Sequence, residues 1–300
     1  MQVIRHIPEA LQSPCVLAIG NFDGIHLGHQ ALLQKLTQTA QELNLNAAVM
    51  TFEPHPREFF APETAPARLC SLREKLEFFA AAGVERVYIC AFNRHFAKIT
   101  AEDFMRRILR ESINVKAVLV GEDFRFGAKR AGSIDDFVQE QFNLISLPQV
   151  DAGGARVSST RVREALADGR LDEAALLLGR LYSISGKVVH GAQRGRQLGF
   201  PTANVHMRHE RPALTGVYAV KLDGLHAVAN LGVRPTIAGV PKLSLEVHVL
   251  DFNANLYDKH VHVEFLHKIR DEMKFDGLDA LKAQIAKDVE VARSFFINRA

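Results

Sequence analysis

The hydrophobic pattern of the chain changes partway along it. Up to about Gly179, short and almost purely apolar runs alternate with longer stretches of helical period. The runs are Cys15–Ile19, Ala47–Phe52, Val84–Ala91, Val115–Val120 and Leu144–Leu147. Short runs without polar alternation fit strands buried on both faces. Between them, Gln30–Leu43, Leu72–Ala82, Ala101–Ser112 and Ile134–Gln141 space their apolar residues as helices do. Ser71, Thr100 and Ser133 stand where N-caps belong, and Asp103 follows Thr100 at the position of a capping box. This grammar predicts an α/β domain with a parallel sheet covered on both faces. Ligands of such sheets gather at the carboxyl ends of the strands.

After Ala174–Leu181 the period falls to two. Gly216–Leu222 and Leu225–Asn230 flank Asp223-Gly224, a hairpin signal. Leu243–Leu250 and His260–Leu266 read as another alternating pair. An antiparallel β domain follows from this, most simply a small closed barrel. Leu278, Leu281, Ile285 and Val289 draw an apolar stripe along a terminal helix. The change of period puts the boundary near Gly179–Ser185. The expected domains are residues 1–180 and 181–300.

Composition narrows the picture a little. A chain of 300 residues with 47% hydrophobic and 24% charged content suits two ordinary cores. A net charge of +3 is too small to argue for nucleic acid as a partner. Cys15, Cys70 and Cys90 are odd in number, lie in or beside apolar segments and form no C-x-x-C pair, the usage of reduced and buried thiols. No apolar run approaches the ~20 residues of a membrane span, and the N-terminus lacks a basic-then-apolar leader. The expectation is a cytoplasmic chain without membrane partners.

The candidate chemistry begins at Gly20–His29, GNFDGIHLGH, between the first strand-like run and the first helix. A helix starting near Leu27 puts His26 and His29 on one side of its first turn. Gly24 and Gly28 let the backbone approach a ligand, and the helix N-terminus offers unpaired N–H groups to phosphate. Asn21, Phe22 and Asp23 complete the turn. Two imidazoles aimed at a polyphosphate suit charge developing on one phosphorus. The run resembles the HxGH signature of the nucleotidyltransferase superfamily. It lacks the G-x-G-x-x-G spacing of dinucleotide binders, and no G-x-x-x-x-G-K-[ST] occurs in the chain.

Three further strings lie at or beyond strand ends. Gly121–Gly127, GEDFRFG, sets Asp123 beside Phe124 and Phe126, a combination suited to a planar heterocycle or to plain core packing. Ser158–Arg163, SSTRVR, opens a helix whose Ser159, Thr160 and Arg163 can hold phosphate. Pro54 and Pro56 fix the loop around His55.

The second half carries its own phosphate chemistry. Gly191, Gly195 and Gly199 punctuate a loop bearing Arg194 and Arg196, which can close over a polyphosphate. Pro201–Asn204, PTAN, follows. Thr202 and Asn204 are two apart on extended chain, point the same way and offer hard oxygens suited to Mg²⁺. On Leu243–Leu250, Glu246 falls on the polar side with Ser244 and His248. It could accept the proton of a hydroxyl attacking a γ-phosphate. His248, His260, His262 and His267 fit alternating strand positions rather than a zinc site.

Taken together, GNFDGIHLGH, TFEPHP, GEDFRFG, SSTRVR, PTAN and EVHVLDF resemble, in order and over essentially the whole chain, the bacterial bifunctional riboflavin kinase/FMN adenylyltransferases, also called FAD synthetases. The resemblance implies an N-terminal Rossmann-like domain of the HxGH type and a C-terminal barrel. It implies that His26 and His29 favour the transition state of adenylyl transfer, with Ser159, Thr160 and Arg163 on the ATP phosphates. Asp123, Phe126 and His55 would border the N-terminal flavin. In the barrel it implies Glu246 as base, Thr202 and Asn204 on Mg²⁺, and Gly191, Gly195, Arg196, Gly199 and Thr202 around ATP. Arg270 and Glu272 would lie near the barrel's flavin. The implied substrates and products are riboflavin, FMN, FAD, ATP, ADP and pyrophosphate. Two broader readings use the same residues: an HxGH transferase joined to a binding barrel, and a non-catalytic nucleotide-binding regulator. The latter would have no need of the reactive His26, His29, Asn204 and Glu246.

Overall fold

The structure is a computed structural model describing residues 1–191, 195, 198–207, 211–234 and 242–299. It divides into two compact units, Met1–Pro66 with Leu72–Ser158, and Ala67–Ser71 with Ser159–Ala300.

The first unit is built on a parallel six-stranded sheet. Its strands are β1 (Gln2–Ile4), β2 (Cys15–Ile19), β3 (Asn46–Glu53), β4 (Arg86–Ala91), β5 (Val115–Gly121) and β6 (Asn143–Leu147), in the order β1-β4-β3-β2-β5-β6. β2 shows why the apolar runs are continuous. Cys15, Leu17 and Ile19 enter one core with Met50, Tyr88 and Val118, while Val16 and Ala18 enter the opposite core with Val49, Val87 and Leu119. Helix α1 (Leu27–Leu43) covers the second face through Leu32, Leu33, Leu36 and Ala40, and ends at Asn44 in the left-handed region. Two shorter helices follow, α2 (Pro56–Phe60) and α3 (Leu72–Ala81).

Several expected boundaries move. β4 starts at Arg86 rather than Val84, because Gly83 at φ +81° turns the chain first. The helix expected over Ala101–Ser112 is α-helical only in α4 (Ala101–Asp103) and continues as a π-helix, Phe104–Ser112. Its wider turn is visible where the Ile113 N–H bonds the Ile108 carbonyl at 2.9 Å. Helix α5 (Ile134–Gln139) stops two residues early, since Gln141 has φ +55°. A small hairpin, β7 (Asp151–Ala152) and β8 (Ala155–Arg156), closes the unit.

The second unit opens with α6 (Ser159–Ala167) and α7 (Leu171–Leu178), then forms a closed antiparallel barrel. Its strands are β9 (Ser183–Val189), β10 (Ala203–His206), β11 (Gly216–Leu222), β12 (Leu225–Arg234), β13 (Lys242–Val249) and β14 (His260–Arg270). They close in the order β10-β13-β12-β11-β14-β9. The β11–β12 hairpin forms as expected, with Leu222 opposite Leu225. The expected pairing of Leu243–Leu250 with His260–Leu266 does not. β13 lies between β10 and β12, and β14 between β11 and β9. Period-two alternation fixes which side chains share a face, not which strand is the neighbour.

The terminal helix, α8 (Leu278–Ile297), covers part of the barrel's outer wall. Val217, Ala219 and Val228 face outward there and pack with Val289, Ala292 and Phe296. Leu278, expected on the apolar stripe, is 66% exposed, and the stripe runs on instead to Ala292 and Phe296. No helix among the described residues is long and apolar enough to cross a membrane. Cys15, Cys70 and Cys90 are free and buried, and burial pushes the Cys15 and Cys90 thiols up to about 12.

Candidate active sites

The sheet of the first unit reverses direction between β2 and β5. From β2 the chain builds outward through β3 and β4, then returns to lay β5 and β6 on the other side. Crevices open at such switch points, beyond the carboxyl ends of the strands. A cavity of about 220 Å³ lies there. Gly20, Phe22, His26, Gly28 and His29 line it from the turn after β2, and Asp123 and Phe124 from the turn after β5.

Local chemistry fixes the two histidines. His26 is the N-cap of α1, and its Nδ1 accepts the His29 backbone N–H at 3.4 Å. An accepting Nδ1 leaves the ring proton on Nε2, so His26 is a donor at that atom. The His29 ring stacks on it with centroids 3.7 Å apart and planes at 15°. Gly28 makes room for this. A Cβ there would stand 3.2 Å from His26 Cε1 and 3.3 Å from its Nδ1. Burial holds the His29 imidazole well below the ordinary histidine value, and the His26 ring and the Lys75 ammonium push it further down. His29 is therefore neutral at physiological pH. The unfolded chain takes up this proton first on acidification. The stability it contributes is complete above its unfolded value of about 6.5 and is lost as pH falls toward the folded value, by at most about 1.4 kcal/mol per pH unit. An imidazole NMR titration should find His29 neutral at pH 6.5, and half-protonation there would contradict this environment.

The rest of the turn is support. Gly24 has φ +81°, Asp23 is buried, and the Asn21 carbonyl accepts from Thr51 Oγ1 at 3.3 Å and Lys75 Nζ at 2.9 Å. Asp123 meets the cavity already paired, with Arg156 Nη2 at 2.5 Å from its Oδ2. Arg156 also lines the cavity and was not expected. The Asp151–Arg156 string, DAGGAR, held the signal, because Gly-Gly between short flanks marks a hairpin that brings Arg156 back.

Two residues expected beside the flavin do not line this cavity. Phe126 is a core residue, 6% exposed and stacked on Phe137 with centroids 4.6 Å apart, and Phe124 lines the cavity in its place. His55 is the N-cap of α2. Its Nδ1 accepts the Arg57 N–H and its own N–H donates to Glu58 Oε2, a capping box outside the cavity lining. Ser159, Thr160 and Arg163 belong to the second unit, in the first turns of α6, where Arg163 Nε donates to the Ala67 carbonyl at 2.6 Å.

The second unit holds a larger cavity, about 470 Å³, within the range of ligand sites. Its floor is the outer wall of the barrel. Leu245 and Val247 point to the buried side of β13, so Glu246 points out. Register then places Asn204 of β10 and Asn230 of β12 opposite Glu246 on either side. These residues, with Thr202, line one wall. The Ser244 hydroxyl donates to Glu246 Oε1 at 3.3 Å. Asn230 was not foreseen, yet the Asp223-Gly224 turn fixes its register on β12.

The opposite wall is apolar, with Met273, Phe275 and, from α8, Leu281 and Ile285. Arg270 and Glu272 line the cavity as expected. Arg270 is held by Asp288 of α8, with Nε 3.0 Å from Oδ1 and Nη2 2.8 Å from Oδ2, and Gln284 Nε2 steadies the same carboxylate at 2.9 Å. Asp288 is 3% exposed, a polar group in the helix's packed stripe that apolar counting passes over. Glycines leave the space these groups fill. A Cβ at Gly232 would overlap the Glu272 carboxylate, and one at Gly191 the Asn204 amide. At Gly195 it would overlap the Phe200 carbonyl and stand 3.1 Å from Thr202 Oγ1. Gly199, at φ +88°, turns the chain between the lining residues Leu198 and Phe200. Arg194 and Arg196 lie outside the described residues.

Comparison with known proteins settles the family. Residues 9–161 match the FAD synthetase family and residues 178–296 the Riboflavin kinase family. The chain is 49% identical to the bifunctional riboflavin kinase/FMN adenylyltransferase of Escherichia coli K12, over 99% of this chain and 98% of that one. It belongs to the bifunctional riboflavin kinase/FMN adenylyltransferase family. The Haemophilus influenzae member is 46% identical over 99% of both chains. A crystal structure described as a macrolide-efflux protein from Streptococcus pneumoniae shares the fold, with a TM-score of 0.80 and 33% identity over 97% of this chain and 99% of that one. In family terms, the FAD synthetase match covers the paired histidines and their cavity, and the riboflavin kinase match covers the barrel and Glu246.

Proposed function

We propose that the two reactions of this bifunctional riboflavin kinase and FMN adenylyltransferase are carried by two separate residue sets, His26 with His29 and Glu246 with Thr202 and Asn204. The supporting observation is that His26 and His29 line a cavity of the first unit, and Thr202, Asn204 and Glu246 a cavity of the second. The domain assignment that goes with it gives residues 1–180 to adenylyl transfer and 181–300 to the kinase.

In the kinase reaction the riboflavin 5′-hydroxyl attacks the γ-phosphorus of ATP, giving FMN and ADP. Glu246 accepts the hydroxyl proton, and Ser244 orients the carboxylate. The apolar wall of Met273, Phe275, Leu281 and Ile285 suits a flavin ring, with Arg270 and Glu272 at its polar edge. Asp288 acts through Arg270 as a positioning residue. The Thr202 hydroxyl and Asn204 amide oxygen are hard, neutral donors on the cavity wall, and the glycines beside them leave the space a Cβ would fill. That donor set fits Mg²⁺ carried by a nucleotide. Bound there, Mg²⁺ would neutralise polyphosphate charge.

In the second reaction a phosphate oxygen of FMN attacks the α-phosphorus of ATP, and pyrophosphate leaves. His26 Nε2–H and neutral His29 supply hydrogen bonding at the N-terminus of α1, where charge grows in the transition state. Ser159, Thr160 and Arg163 would bind phosphate, and Asp123 would border the flavin. His55 would act by fixing the loop after β3. Three buried free thiols support a reducing, cytoplasmic setting.

The test is a time course with riboflavin, ATP and Mg²⁺. Riboflavin should fall, FMN should rise and fall, and FAD should accumulate with pyrophosphate. FAD formed with no passage through FMN would refute the order of steps.

A further inference from the structure

Lys75 is a buried cation that the reactions above leave unused. It sits in the first turns of α3 and is 3% exposed. Its ammonium donates to the Asn21 carbonyl at 2.9 Å, inside the Gly20–His29 turn. Among the described residues this is its one hydrogen bond, and no carboxylate pairs with it.

An ammonium carries three donors, and one carbonyl satisfies one of them. Buried charges are normally paired, because desolvation is costly. The surroundings do not make up the difference. α3 sends Leu72, Leu76 and Phe79 into the core under the turn, and Phe79 meets Phe22 edge-on at 5.2 Å. In the same turn His29 Nδ1 is buried without a hydrogen-bond partner, and as an N–H it would donate to an anion. The turn thus gathers a lone cation, an unsatisfied ring nitrogen and the positive end of α1, beside a cavity. Such a cluster is disfavoured when empty and favoured when a multiply charged anion arrives.

We propose that Lys75 is a further electrostatic residue of the adenylyl-transfer site, a buried cation whose counter-charge is the polyphosphate of ATP. This rests on the reading of the Gly20–His29 turn as the polyphosphate site. It makes a prediction of unusual sign. A purely structural lysine stabilises the fold, whereas a cation awaiting its anion destabilises the empty protein.

The experiment uses the full chain with Lys75→Met and Lys75→Arg. FAD formation is followed from FMN at varied ATP, and amide hydrogen exchange is read over Gly20–His29 and Leu72–Ala81 without substrates. Lys75→Met should raise the KM for ATP on the order of tenfold or more. It should slow amide exchange in both segments, because an unpaired buried charge has gone. Lys75→Arg should recover part of the ATP affinity, and riboflavin phosphorylation should be unchanged in both variants. An unchanged KM for ATP, or faster exchange in Lys75→Met including outright failure to fold, overturns the proposal. His29→Ala is run alongside. Undiminished FAD formation there removes the polyphosphate site itself, a failure distinct from that of Lys75.

Discussion

Glu246→Gln should lower riboflavin phosphorylation by about 100- to 10,000-fold, the range for loss of a general base. Glutamine keeps the shape of the side chain and can still accept from Ser244, 3.3 Å from the carboxylate in the native protein. It cannot take a proton at neutral pH. The defect should fall on kcat, because the proton moves only as the hydroxyl attacks. FAD formation from supplied FMN should be untouched. Asn204→Ala, beside it in the β10–β13 register, should fail differently. Losing a metal ligand weakens occupancy, so raised Mg²⁺ should recover part of its rate, and Thr202→Ala should behave likewise. A kinase rate measured against Mg²⁺ for the three variants separates the roles. Full turnover in Glu246→Gln, or rescue of that variant alone by Mg²⁺, would reassign them.

His26→Ala and His29→Ala should each reduce FAD formation from FMN by roughly 100- to 1000-fold, the cost of about 2.7–4 kcal/mol for one lost transition-state donor. The two losses should not add, because the rings form one stacked pair and His26 Nδ1 also caps α1 through the His29 N–H. His26→Ala carries a further cost of about 1 kcal/mol of helix stability from the lost cap. His26→Asn, a good N-cap, should restore that stability without restoring turnover. FMN formation from riboflavin should stay normal in all three. Steady-state kinetics with FMN and ATP, beside thermal unfolding, tests both halves.

Much of this was legible in the chain because local and tertiary signals agree. The apolar runs of the first unit are continuous because both faces of β2 and its neighbours are buried. The Gly20–His29 turn reads correctly because a strand, tight glycines and a capping residue are all local features. What the sequence hides depends on partners distant along the chain. Phe124 and Phe126 have the same period and chemistry, and only the packing of Phe137 and Phe104 decides that Phe126 is core. Glu246 reads as polar surface until α8 covers the outer wall of the barrel and turns that surface into a cavity. Asp288 looks like a defect in an apolar stripe until Arg270 is seen against it. β13 and β14 look like a hairpin because alternation carries no information about the neighbouring strand. His55 caps α2 beside Pro56, so capping chemistry gives its place in the motif a local structural role as well.

The central claim is that each reaction has a complete set of chemical groups of its own. Mixing the two crippled proteins tests this most directly. His29→Ala and Glu246→Gln, each alone with riboflavin, ATP and Mg²⁺, should make almost no FAD, the first accumulating FMN and the second leaving riboflavin unreacted. Combined in one tube, FMN made by the first should be adenylylated by the second, and FAD should form at a rate that rises with the concentration of both. A mixture that accumulates FMN but makes no more FAD than its parts would contradict the account.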